Sequence, residues 1–199
     1  MADKPTIRLA TEEGTLRFKP VPVLFPTNHS SPLDVPYILK FIQELAAYEN
    51  ASHEVEATES SLLETLTFPS SSTSKSTSSK PKHGTVQTFL ITPPSSSTPV
   101  GMALYFYNYS TWRSRPGVYL EDLYVQPSHR GKGYGLALFR ALAGEVRRIG
   151  GRRLEWSVLK WNEPSIRFYK ALGAREMGEW MKMMVEGEEA LERLEGVGL

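Results

Sequence analysis

The densest run of chemically suggestive residues is Arg130-Gly131-Lys132-Gly133-Tyr134-Gly135. Glycines at alternate positions let a backbone approach a ligand closely because no Cβ stands in the way, and Arg130 and Lys132 can add cationic contacts. Where such a run opens a helix, unpaired N–H groups and the positive end of the helix dipole converge on one point, which suits a diphosphate. Spacing disfavours two other nucleotide patterns. A Walker loop would end in Gly-Lys-Ser/Thr, and a dinucleotide fingerprint would place glycine at Leu136. The bland alternative is a glycine-rich turn joining strand to helix, for which fewer glycines would suffice. The second suggestive feature is Glu121-Asp122, two acids inside the otherwise apolar stretch from Val118 to Val125. Carboxylates are poor for burial in a strand unless they have work to do, so the pair reads either as solvated strand charge or as functional machinery.

These residues need elements to position them. Val118 to Val125 reads as a strand; after the glycine loop, Leu136, Phe139, Leu142, Ala143, Val146 and Ile149 recur at helical spacing up to Gly150-Gly151. Leu154, Trp156 and Val158 alternate as a further strand, followed by a short helix capped by Asn162, with Pro164 in its first turn and Gly173 as its stop. Upstream, Val86 to Thr92 and Val100 to Tyr107 predict neighbouring antiparallel strands. A helix is expected from an Asp34 N-cap to about Tyr48-Glu49-Asn50, and a weaker one from Thr58 to Leu66. Thr6 to Leu9 is a candidate first strand, Trp180 to Val185 a candidate last one, and the Glu-rich tail from Glu188 a short helix or frayed end. Phe18 to Pro36 carries five prolines and reads as an irregular connection. Residues 69–83, a Ser/Thr/Lys tract with no apolar side chain up to Lys82, are expected to form a disordered surface insertion. The whole chain, 1–199, reads as a single α/β domain.

Composition narrows the chemistry. Lys plus Arg number 23 against 22 Asp plus Glu, so no global field recruits nucleic acid or a membrane surface. Zero cysteines remove disulfides, a Cys-based zinc site and a cysteine nucleophile. His29, His53, His83 and His129 have no metal-ligand spacing, so no metal is expected. The aromatic group Tyr105, Phe106, Tyr107, Tyr109 and Trp112 reads as strand core and pocket wall in the absence of a basic surface. No stretch approaches the roughly 20 apolar residues that span a bilayer, and the start lacks an apolar leader, so a cytoplasmic protein is expected.

Arg-x-x-Gly-x-Gly between a strand and a helix resembles the acetyl-CoA pyrophosphate loop of the GNAT N-acetyltransferases. Tyr119-Leu120-Glu121-Asp122-Leu123-Tyr124-Val125 and Trp161-Asn162-Glu163-Pro164-Ser165-Ile166-Arg167-Phe168-Tyr169-Lys170 are similar to the diamine (spermidine/spermine) acetyltransferase branch, which also contains thialysine enzymes. Glu44-Leu45-Ala46-Ala47-Tyr48-Glu49 resembles the end of that branch's first helix, and the likeness runs from about Tyr37 to Trp180. It implies a GNAT-like mixed, mostly antiparallel central sheet flanked by helices, with acetyl-CoA bound where two central strands part.

The resemblance further implies roles. Glu121 is similar to the carboxylate that deprotonates the amine, and Tyr169 to the phenol that serves the departing thiolate. On periodicity alone, Ile166, Tyr169 and Leu172 share one helix face, and Tyr169 reads as core. Backbone N–H groups among Leu123, Tyr124 and Val125 would polarise the thioester; Arg130, Gly131, Lys132, Gly133, Tyr134 and Gly135 would hold the diphosphate; Asn162, Ser165 and Tyr169 would also touch CoA. Tyr48, Glu49, Glu121, Asp122, Glu155 and Glu179 resemble the lining for a cationic acceptor, although Glu155 after Arg152 and Arg153 also reads as half of a surface ion pair. The implied reaction is acetyl transfer to a primary amine of a small polyamine, diamine or lysine-like amino acid, by a homodimer. The rivals are a protein lysine or N-terminal acetyltransferase, and a CoA-binding module without chemistry.

Overall fold

The computed structural model describes residues 5–9, 32–67 and 86–196. The described chain falls into two compact units, Met1–Ser157 and Val158–Leu199. The proline-rich segment lies mostly outside the described residues and the Ser/Lys tract wholly so.

The first unit is built on one five-stranded sheet in sequence order: β1 (Thr6–Leu9), β2 (Val86–Thr92), β3 (Gly101–Ser110), β4 (Arg115–Val125) and β5 (Leu154–Trp156). The first three pairings are antiparallel and β4 pairs β5 in parallel, so the sheet is mixed and mostly antiparallel as the sequence implies. β3 and β4 run longer than their apolar cores suggest, because the hairpin continues through Asn108↔Gly117 and Tyr109↔Pro116 to a tight turn at Thr111–Arg113.

Helix α1 (Val35–Tyr48) lays Val35, Ile38 and Phe41 against Leu90, Met102, Leu104 and Tyr124 of one sheet face. Helix α2 (Glu59–Thr65) adds Leu62 to this core and is opened, as expected, by Thr58, whose hydroxyl accepts from the Ser61 N–H at 3.1 Å. Asp34 stands at the N-cap of α1 but does not cap it with its side chain. Both its oxygens are taken by Arg8 of β1, at 2.8 and 2.9 Å, so a long-range ion pair has displaced the local contact.

Helix α3 (Tyr134–Arg148) serves the other face. Its Glu145 reaches Tyr107 of β3, which lies on the same face as Tyr105, and Phe139 packs edge-on against Trp156 of β5 at 5.1 Å. Strand alternation puts Leu104 and Tyr105 on opposite faces, which places α1 and α3 on opposite sides.

The second unit holds α4 (Glu163–Ala171) and α5 (Glu188–Gly196), the latter realising the helical option for the tail. The last strand expected at Trp180 to Val185 is absent. The stretch carries no regular structure, pairs with no strand among the described residues, and leaves Trp180, Met181, Met183 and Met184 exposed. Apolar alternation makes a strand only where a ladder partner takes up its backbone groups.

Candidate active site

β4 delivers the chain into the glycine run through a short turn, Pro127–His129. Gly131 and Gly133 hold φ of +74° and +81°, the left-handed region where a side chain is strained, which explains why glycine stands at both. A Cβ built at either would meet nothing within 4 Å, so the space beyond them is open. Gly133 is the N-cap of α3 and no side chain caps the helix. The first intrahelical bond runs from Ala137 N–H to the Gly133 carbonyl at 3.0 Å, so the N–H groups of Tyr134, Gly135 and Leu136 have no acceptor within their own helix. Open approach, free donors and the exposed Lys132 fit a diphosphate.

Two side chains of this run contact the protein itself. The Tyr134 ring is buried and lies parallel to His129 at 6.2 Å, so only its backbone faces the loop. Arg130 turns back on the strand: its Nε–H donates to the Val125 carbonyl at 2.9 Å, and its guanidinium lies over the rings of Tyr48 and Tyr124.

The edge of β4 beside this loop is the second half of the site. Pairing with β5 ends at Leu120↔Trp156, while pairing with β3 continues to Gly101↔Val125, so the strands part along Glu121–Val125. The Gln126 N–H donates to Val100 on the β3 side at 2.9 Å. Antiparallel alternation then turns the N–H groups of Leu123 and Val125 away from β3, toward the edge β5 has left. The Tyr124 N–H belongs to the β3 ladder instead, which removes it from the expected donors. Its side chain packs on Phe41, with ring centroids 5.7 Å apart, and burial and Glu44 push the phenol up to about 12.

A β-bulge sets the acids. Tyr105 pairs Leu120 and Leu104 pairs Asp122, leaving Glu121 as the extra residue of β4. Leu120 stays on the α3 face, Glu121 is exposed, and Asp122 is carried over to the α1 face. Burial there, with the charges of Glu121 and of Glu49 at the end of α1, pushes the Asp122 carboxyl up to about 6. Burial also raises Glu49. Among the described residues, no lysine or arginine pairs with Asp122. The acids the sequence singles out are thus brought together, all but two. Glu155 is engaged elsewhere, with Arg153 at 2.8 Å and Asn108 Nδ2 at 2.7 Å, which is the ion-pair alternative. Glu179 lies exposed in the second unit. The bulge itself has no sequence signal beyond the paired acids in an apolar strand.

In the second unit, Asn162 caps α4 as expected, its Oδ1 accepting from the Ser165 N–H at 3.3 Å. Tyr169 is half-buried on this helix, its ring 5.5 Å from that of Phe168.

The model of the acetyltransferase (GNAT) family matches residues 56–174, a span that takes in the bulged strand, the glycine run and α4. The chain belongs to the GNAT acetyltransferase family. It is an acyltransferase, of a family whose acetyl donor is acetyl-CoA. Among the relatives of this GNAT chain is a thialysine N-epsilon-acetyltransferase of Bos taurus, 36% identical over 80% of the chain and 90% of the relative. The L-ornithine N5-acetyltransferase NATA1 of Arabidopsis thaliana is 29% identical over 87% and 94%. A spermidine/spermine N(1)-acetyltransferase-like protein 1 of Homo sapiens is 28% identical over 84% of the chain but only 23% of that longer protein. In fold, the chain is similar to an integron cassette protein of V. cholerae, with a TM-score of 0.65 at 24% identity over 97% and 98% of the two chains. No described helix of the GNAT chain is long and apolar enough to cross a membrane.

Proposed function

We propose that this enzyme transfers acetyl from acetyl-CoA directly to a primary amine of a small cationic acceptor, a polyamine, diamine or lysine-like amino acid such as thialysine. The observation that carries the reading is the group Glu49, Glu121 and Asp122, acids flanking the β4 edge that leads into the glycine loop, with no lysine or arginine among the described residues paired to Asp122. The relatives' names point the same way, since ornithine, thialysine and spermidine are all small amines carrying more than one ionisable group.

Acetyl-CoA, when bound, supplies an activated acyl carbon. The amides from Gly131 to Leu136, with Lys132, would hold its diphosphate, and the outward N–H groups of Leu123 and Val125 are donors for the thioester oxygen. An alkylammonium of pKa about 10.4 is free base in only about one molecule per few thousand at pH 7, so a base is required. Glu121, exposed at the bulge, is assigned that proton, directly or through water. Asp122, Glu49 and Tyr48 are assigned the acceptor. Tyr169 is assigned the proton for the departing sulfur, and Asn162 and Ser165 further contacts to CoA. A homodimer is part of the same proposal.

The test is an acceptor screen with acetyl-CoA across diamines, polyamines, amino acids and basic peptides, following which nitrogen is acetylated. Transfer to small amines is expected, and Glu121→Gln and Tyr169→Phe should each lower kcat about 100-fold. Transfer to peptides alone would replace this reading with protein acetylation.

A further inference from the structure

Arg130 opens the glycine run, yet its side chain also turns back on the protein. Its Nε–H holds the carbonyl of Val125, the last residue of β4, at 2.9 Å. Its guanidinium carbon lies 5.4 Å from the ring centroid of Tyr48, the last residue of α1, and 5.8 Å from that of Tyr124. The Tyr124 ring packs in turn on Phe41 of α1. One planar cation therefore joins the end of a strand, the end of a helix and the start of a loop. On the reading above, these three ends have different duties: the strand polarises the acyl group, the helix end receives the amine and the loop holds the diphosphate.

We propose that Arg130 is a positioning residue that fastens the glycine loop to the acceptor end of α1, so that the place of the donor fixes the place of the acceptor. The proposal rests on the acetyl-transfer reading. The chemistry of the side chain supports it, because a guanidinium can donate through Nε in its plane while presenting its face to aromatic rings. A lysine cannot do both. It can, however, neutralise a phosphate as a point charge, so the Arg130→Lys variant separates a clamp from a phosphate ligand.

Two quantities decide: the acceptor KM at saturating acetyl-CoA, and the Kd of acetyl-CoA by calorimetry without acceptor. In Arg130→Lys and Arg130→Ala alike, the acceptor KM is expected to rise about tenfold, with the acetyl-CoA Kd within about threefold of wild type. Tyr48→Leu should raise the acceptor KM too, and the Arg130→Lys/Tyr48→Leu double variant should be no worse than the weaker single one, since both remove one contact. An unchanged acceptor KM in the arginine variants would overturn the clamp. So would a loss of acetyl-CoA affinity of tenfold or more in Arg130→Ala that Arg130→Lys restores. A wild-type enzyme silent toward every amine would instead remove the functional reading, before any variant is made.

Discussion

Two carboxylates, one buried and one half-buried, sit on opposite faces of the same sheet and are treated in opposite ways. Glu145, on α3, has both oxygens held by Arg148, at 2.6 and 2.7 Å, and accepts from the Tyr107 hydroxyl. Burial pushes its carboxyl up, but the Arg148 and Tyr107 hydrogen bonds and the Arg148 charge outweigh burial and hold it below the usual range. Tyr107 is further supported by Gln87, which also accepts from Tyr105. Asp122 is half-buried, but its charged neighbours are Glu121 and Glu49, and partial burial with those charges raises its carboxyl to about 6. The fold can satisfy a buried acid from its own sequence, three residues along a helix. Where it does not, the missing cation is one a ligand can bring.

Removing the partner from the satisfied site should break the contrast most severely. Arg148→Ala leaves Glu145 buried without its cation and should cost about 3 kcal/mol in urea-induced unfolding, at the low end for a buried pair because the arginine is partly exposed. Asp122→Asn removes the charge at the unsatisfied site. It is expected to stabilise the enzyme at pH 8 by about 1–2 kcal/mol, short of the roughly 3 kcal/mol that a two-unit shift represents, while raising the acceptor KM at least tenfold.

The two acids also pull stability in opposite directions with pH. Asp122 has a folded value near 6 against the ordinary aspartate value of 3.8, so the native state keeps a proton the unfolded chain has released. Its contribution is full below the unfolded value and is lost as pH rises through 6. Glu145 is depressed, so its contribution is lost as pH falls through its folded value. Unfolding free energies of wild type and Asp122→Asn from pH 4 to 7 should diverge by about 1–2 kcal/mol, the variant gaining relative to wild type toward pH 7. The smallest effect is a proton count. A cationic amine beside Asp122 should release up to about half a proton at pH 6, read by calorimetry in buffers of different ionisation enthalpy, and Asp122→Asn should abolish it.

What the sequence made legible was local. Val86–Thr92 is a strand at its expected bounds, Asn162 caps its helix, and the glycine run lies between strand and helix where its spacing put it. Each of these depends on residues within a turn or two of one another. The departures are long-range. Asp34 forsakes its helix for Arg8, 26 residues away; Arg130 lies over Tyr48; and Trp180 to Val185 has strand residues without a strand to join. The acids were legible as a group, but their division into an exposed Glu121 and a half-buried Asp122 depends on a register slip against Leu104 and Tyr105 that neither strand announces.

That slip makes the strand a phase-sensitive ruler. Closing that slip with every residue kept would restore plain alternation from Leu120 and exchange inside for outside up to Val125, turning Leu123 toward α1 and Asp122 toward α3. A chain paired in that register would keep every named residue and misplace its acids and its outward amides, so the pairing along this stretch carries as much meaning as its letters.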